Sequence, residues 1–151
     1  MKEKYLVYTI IIWNKFQVSS RTAWGSFKSP SCPSFPTPFE YILVFSKLSY
    51  KLQYKGETDL SKEEFIKWSL SQWTFAPQTN QNKIGHNAMF PEELPIRCMK
   101  MFSWKNSLIY DPFMGSGTTA IACINNNRNY IGSEISENYC NIAKARLEKL
   151  L

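Results

Sequence analysis

The chain has 151 residues, 44% of them apolar and 20% charged, with a formal net charge of +6. That apolar fraction excludes a disordered polyelectrolyte, and the length fits one domain with a real core. The longest apolar run, LVYTIIIW, is too short to span a bilayer. The positive excess is uneven. Residues 1–60 carry 8 Lys and Arg against 4 Asp and Glu, residues 61–110 carry 6 against 4, and residues 111–151 carry 4 of each. A basic front half points to a polyanionic partner, nucleic acid before membrane, with a merely basic solvated surface as the plain alternative.

In chain order, the β-branched and aromatic run 5–13 predicts a buried strand. Residues 17–38 hold six serines and four prolines and read as a long loop. FEYILVFSK, 39–47, predicts a second strand, and 48–60 a polar connector. SKEEFIKWSLSQW predicts a helix opened by a capping box from Ser61 to Glu64, with Ile66, Leu70 and Trp73 on one face. After a loop to Phe90, PEELPIRCMKMF reads as a short helix. The remainder reads as strand 107–111, helix 116–125, strand 129–134 and helix 136–150. Tyr139, Ile142, Ala143, Leu147 and Leu150 share one face of that last helix. Cys32, Cys98, Cys123 and Cys140 show neither metal-type pairing nor the spacing of a disulfide framework. They fit a reduced, cytoplasmic protein without a metal site.

The stretch YDPFMGSGTT, 110–119, carries the chemistry. An acid ends a strand, a Pro-Phe corner follows, and two glycines precede a helix start. Gly115 and Gly117 remove side chains where a ligand would lie against backbone. The amides of Ser116 to Thr119 then face that ligand at a helix N-terminus. Glu134, nineteen residues beyond Gly115 at the end of the next strand, can accept hydrogen bonds from a ribose diol. A tight turn beside a solvated glutamate is the plain alternative. A dinucleotide oxidoreductase is a rival reading, with Ala120 in place of the third fingerprint glycine. The Asp111-Pro112-Phe113 corner is not something a pyrophosphate site requires.

DPFMGSGTT followed by NRNYIGSEISENYCNIAKARL resembles the cofactor motif of amino-group DNA methyltransferases of restriction–modification type, which modify adenine N6 or cytosine N4. HNAMFPEELPIRCMKMFS resembles the element just before that motif in the same family. IIWNK and RTAWGSFKSPSCPSFPTPFEYILVFSK resemble its strands and the loop near its active site. The order is the permuted one, with catalytic elements ahead of the cofactor motif. The resemblance implies an α/β, Rossmann-like S-adenosylmethionine-dependent methyltransferase fold, its sheet incomplete at the N-terminal end, in one partial domain over 1–151. It implies S-adenosylmethionine as cofactor, held by Asp111, Phe113, Gly115 and Gly117, with Thr118 beside them. Glu134 would take the ribose hydroxyls, and His86 and Phe90 would line the other side of the pocket. Residues 48–80 would form a small target-recognition region, with Lys51, Lys55, Lys62 and Lys67 as candidate contacts to phosphates of double-stranded DNA. A solvated helix face is the alternative for those lysines.

The resemblance also implies an Asp/Asn/Ser-Pro-Pro-Tyr/Phe motif that orients the lone pair of a flipped-out amino group. There is no Pro-Pro pair in the 151 residues; SPSCP and FAPQ are the nearest matches. No residue is therefore assigned as catalytic. The expectation is a C-terminal portion of such an enzyme, with the motif upstream or on a separate fragment. Its strand is expected between the strand at 107–111 and the one at 5–13. The alternative from another class is a remnant that binds DNA or a partner chain without turnover.

Overall fold

The computed structural model describes residues 5–15, 24–35, 37–78 and 89–150. They fall into two compact units. One comprises the described residues of Met1–Lys51 and Leu70–Ala76, and the other those of Leu52–Ser69 and Pro77–Leu151. The stretch expected as a recognition region, 48–80, is shared between them.

In the first unit, β1 (Tyr5–Asn14) pairs antiparallel with β2 (Phe39–Lys47), with a register shift between Val7 and Thr9. On its other side, Ile12–Asn14 pair in parallel with β3 (Gln72–Thr74). Ile11, Trp13 and Trp73 are buried, and the Trp13 indole donates to the Phe75 carbonyl at 3.0 Å while stacking on its ring. The strand expected to be wholly buried is thus buried only on part of one face. Tyr5, Val7, Tyr8 and Ile10 are exposed. Before β2, residues 24–35 close on themselves through a Gly25–Pro33 bridge, with the Ser26 amide and hydroxyl both tied into the turn.

The second unit begins with a connector that is held down rather than loose. The Trp104 indole donates to the Tyr54 carbonyl at 3.0 Å, and the Tyr54 hydroxyl meets Ser107 Oγ at 3.0 Å. A Cβ on Gly56 would lie 2.6 Å from Trp104 Cβ, so this chain crossing requires glycine. Helix α1 (Lys62–Trp68) starts as expected, with both hydrogen bonds of the Ser61–Glu64 capping box formed. It stops five residues early. Ile66 and Leu70 are exposed, Trp68 is buried, and Trp73 is in β3. The helical spacing of 66, 70 and 73 was coincidental: Ser69 caps the helix and Trp73 is drawn into a sheet. That strand also occupies the side of β1, at Ile12–Asn14, where an absent strand was expected.

Helix α2 (Glu93–Phe102) receives α1. Lys100 bonds Glu64 at 2.6 Å, and Arg97 and Lys100 lie over the Trp68 ring. Then come β4 (Leu108–Asp111), α3 (Thr118–Asn125), β5 (Asn129–Gly132) and α4 (Glu137–Leu147). β4 and β5 are parallel and in register, Asp111 opposite Gly132. The strand–helix–strand–helix order expected for 107–150 is therefore present. Met99, Ala122 and Cys123 form the core here, joined by Ile96 and Ile109. Burial pushes the Cys98 and Cys123 thiols up to about 11, so both are neutral, unreactive packing groups. On α4, Ala143 is buried, and Tyr139, Ile142 and Leu147 are half-buried, while Leu150, beyond the helix end, is exposed. No helix among the described residues is long and apolar enough to cross a membrane.

Candidate functional site

The parallel pair β4–β5 ends with its carboxyl edges side by side, and both acids sit there. Asp111 closes an Asx turn. Its Oδ1 accepts from the Phe113 amide at 3.0 Å, and proline at 112 presets the corner. Its Oδ2 accepts from the Thr119 hydroxyl at 2.6 Å, tying the strand end to the first turn of α3. Thr119 thus anchors this carboxylate. Phe113 leaves the corner almost fully exposed.

The glycine loop turns through left-handed backbone. Gly115 (φ 53°) and Gly117 (φ 84°) lie in the left-handed region that side chains disfavour. A Cβ on Gly117 would also come within 3.1 Å of Ala143 Cβ. Gly132 matters for a different reason: a Cβ there would overlap Met114 Sδ at 2.0 Å. Met114 lies over the end of β5, and its amide donates to the Ser133 carbonyl at 2.9 Å. Ser116 and Thr118 are buried beneath this loop. The amides of Thr118 and Thr119 belong to the first turn of α3, where no helix carbonyl can accept them. Among the described residues the Ser116 amide has no acceptor either.

Glu134 faces the loop. Its Oε2 accepts from the Gly115 amide at 2.8 Å and its Oε1 from the Ser136 amide at 2.8 Å. A carboxylate offers about four lone-pair positions, so two amides do not by themselves saturate it. Six of the eight expected residues (Asp111, Phe113, Gly115, Gly117, Thr118 and Glu134) therefore lie at one strand edge. Phe90 stands half-buried ahead of α2. His86 lies outside the described residues. Arg146 was not foreseen: its Nη1 donates to the Ser116 carbonyl at 2.6 Å, behind the loop. Nothing local in ARL, at the end of a helix, marks that arginine in the sequence.

An acid-to-acid crossing of this kind, with a glycine loop opening a helix between parallel strands, lies at the carboxyl edge of the sheet, where α/β folds place small-molecule sites. The family model described as DNA methylase, of N6/N4 type, matches residues 1–145, and the chain belongs to that family. Among its relatives, the type II methyltransferase M.BglI of Bacillus subtilis is 33% identical over 94% of this chain. M.MjaVI of Methanocaldococcus jannaschii is 49% identical over 73 residues, 48% of this chain. The chain spans about two fifths of the length of those relatives, 39% and 38%. TTHA0409 of Thermus thermophilus, solved with S-adenosyl-L-methionine, has a TM-score of 0.72 at 29% identity, over 97% of this chain and 54% of that one. The cytosine-N4-specific PvuII DNA methyltransferase shares the fold at 18% identity and a TM-score of 0.65, over 94% of this chain and 51% of that one. The fold is that of the Rossmann-like DNA methyltransferases.

Proposed function

We propose that this chain is the cofactor-holding part of a DNA methyltransferase that modifies an exocyclic amino group, cytosine N4 or adenine N6, in double-stranded DNA. The observation that carries the reading is the pairing of Glu134 with the Gly115 amide across the strand ends. It sets an acceptor for a ribose diol directly against a loop with glycine at 115 and 117. S-adenosylmethionine fits this cradle: Glu134 would hold its ribose, and Asp111 its cationic methionine end. The bare Gly115–Gly117 backbone would lie against the cofactor, with the Ser116 amide free to donate. Phe113, Thr118, His86 and Phe90 complete the proposed pocket. When bound, the cofactor supplies an electrophilic methyl group on a sulfonium. The protein's own part is to orient that group and keep it apart from water.

These 151 residues contain no Pro-Pro-aromatic element. We therefore propose that methyl transfer requires a polypeptide supplying that element, whether continuous with this sequence or separate. DNA would be held electrostatically by residues 15–83. Lys51, Lys55, Lys62 and Lys67 are exposed, and among the described residues none of the four forms an ion pair. A region 48–80 that reads the DNA target remains part of this proposal, as does action in the cytoplasm.

Calorimetric titration with S-adenosylmethionine and with NAD tests the cofactor reading. Heat of binding with the first alone is expected, and binding of NAD alone would replace it with an oxidoreductase reading. DNA affinity is expected to fall steeply with salt, as counterion release demands, and a flat response would remove the DNA surface from the proposal.

A further inference from the structure

Helix α4 carries a feature that the proposed cofactor reading does not use. Arg146 reaches under the glycine loop, with its side chain 19% exposed. Its Nη1 lies 2.6 Å from the Ser116 carbonyl, 3.2 Å from Ser116 Oγ and 3.4 Å from Thr118 Oγ1. One turn earlier on the same helix, Ala143 is the residue that Gly117 abuts. On the other side, Nη2 points to Glu92 at 4.0 Å, the residue that caps α2 and lies two positions after Phe90. One guanidinium therefore bridges the loop and the start of α2, the two walls of the proposed pocket.

Ser116 is 2% exposed, so its carbonyl must find a donor within the protein. At the other end of the Ser116–Gly117 peptide, the Gly117 amide donates to the Met114 carbonyl at 2.9 Å. A guanidinium anchored in a helix holds the carbonyl end: by taking both Ser116 O and Ser116 Oγ, it anchors the residue whose own amide, in the preceding peptide, has no acceptor among the described residues. Burial lowers the Arg146 pKa from its ordinary value, and the Glu92 carboxylate opposes that shift. The guanidinium stays charged, as arginine does in proteins.

We propose that Arg146 is a positioning residue for the cofactor, anchoring Ser116 in the loop so that its amide is presented for binding. The proposal rests on the S-adenosylmethionine reading of the site. Its test compares Arg146→Met, Arg146→Lys and Arg146→Ala with wild type and with Lys144→Met, an exposed residue on the same helix. Two quantities are read: calorimetric affinity for S-adenosylmethionine, and amide hydrogen exchange of residues 111–121 without cofactor. Arg146→Met is expected to bind about tenfold more weakly and to exchange the loop amides about tenfold faster. Arg146→Lys should recover part of both, and millimolar guanidinium should restore affinity to Arg146→Ala. A purely structural arginine would show neither rescue. Wild-type affinity in Arg146→Met, or loop exchange unchanged in it, overturns the proposal. If Arg146→Met does not fold, Arg146→Lys decides by the same two readings. If wild type itself fails to bind S-adenosylmethionine, the cofactor reading falls, and loop exchange alone decides whether Arg146 anchors Ser116.

Discussion

Gly117 combines a left-handed backbone with a neighbour, Ala143 Cβ, only 3.1 Å from where its own Cβ would be. Either feature alone disfavours a side chain. Together they predict that Gly117→Ala costs about 1–2 kcal/mol of stability from backbone strain, with further loss from displacing α4. Thermal unfolding should show this, and cofactor affinity should fall with it. The residues that meet at this strand edge were largely legible, because they are defined by local chemistry. An acid ending a strand, glycines at a crossing and a second acid after the next strand leave a mark in any sequence. Arg146, Thr119 and Gly132 left none. Each is defined by what it meets across the fold: a buried carbonyl, the Asp111 carboxylate and the Met114 thioether.

Among the elements, the end of α1 shows what local pattern cannot decide. The capping box fixed its start, since Ser61 and Glu64 satisfy each other's backbone within one turn. Nothing equally local fixed its end, and Gln72–Thr74 joined β1 instead. A second long-range link was equally silent. The Arg128 side chain is fully buried and donates through Nη2 to Asp59 at 2.8 Å and to the Ser103 carbonyl at 3.1 Å. Its Nη1 adds the Asn126 carbonyl, while Nε has no partner among the described residues. This joins the connector before α1 to the ends of α2 and α3. Asp59→Ala would leave a buried guanidinium without its counter-charge and should cost about 3–5 kcal/mol, read by denaturant unfolding. The hydrogen bond from Arg128 holds the Asp59 carboxyl below its usual range. A lowered folded-state pKa contributes stability that is complete above the unfolded value of about 3.9 and is lost as pH falls through the lower folded value. Wild type should therefore lose stability below about pH 4, and Asp59→Asn should lose less in that window.

For the molecule as a whole, each unit leaves apolar sheet surface open. In the first, cross-strand pairs Ile12–Tyr41, Ile10–Leu43 and Val7–Phe45 are exposed. In the second, Leu108, Tyr110 and Ile131 are exposed on β4 and β5. Apolar surface of this kind is unusual on a monomer, and each Å² left in water forgoes about 25 cal/mol. The 151-residue chain alone should associate as its concentration rises in sedimentation, and should give no methyl transfer to mixed-sequence DNA. A well-behaved monomer that turns over would mean that an acceptor other than a Pro-Pro-aromatic motif is present in these residues. The functional reading depends on the loop and Glu134 forming a cofactor site. Calorimetry of wild type and Glu134→Ala with S-adenosylmethionine tests that most directly. The account predicts binding by wild type and a loss of about 1–3 kcal/mol on removing the carboxylate. Equal affinity in the two proteins would contradict it.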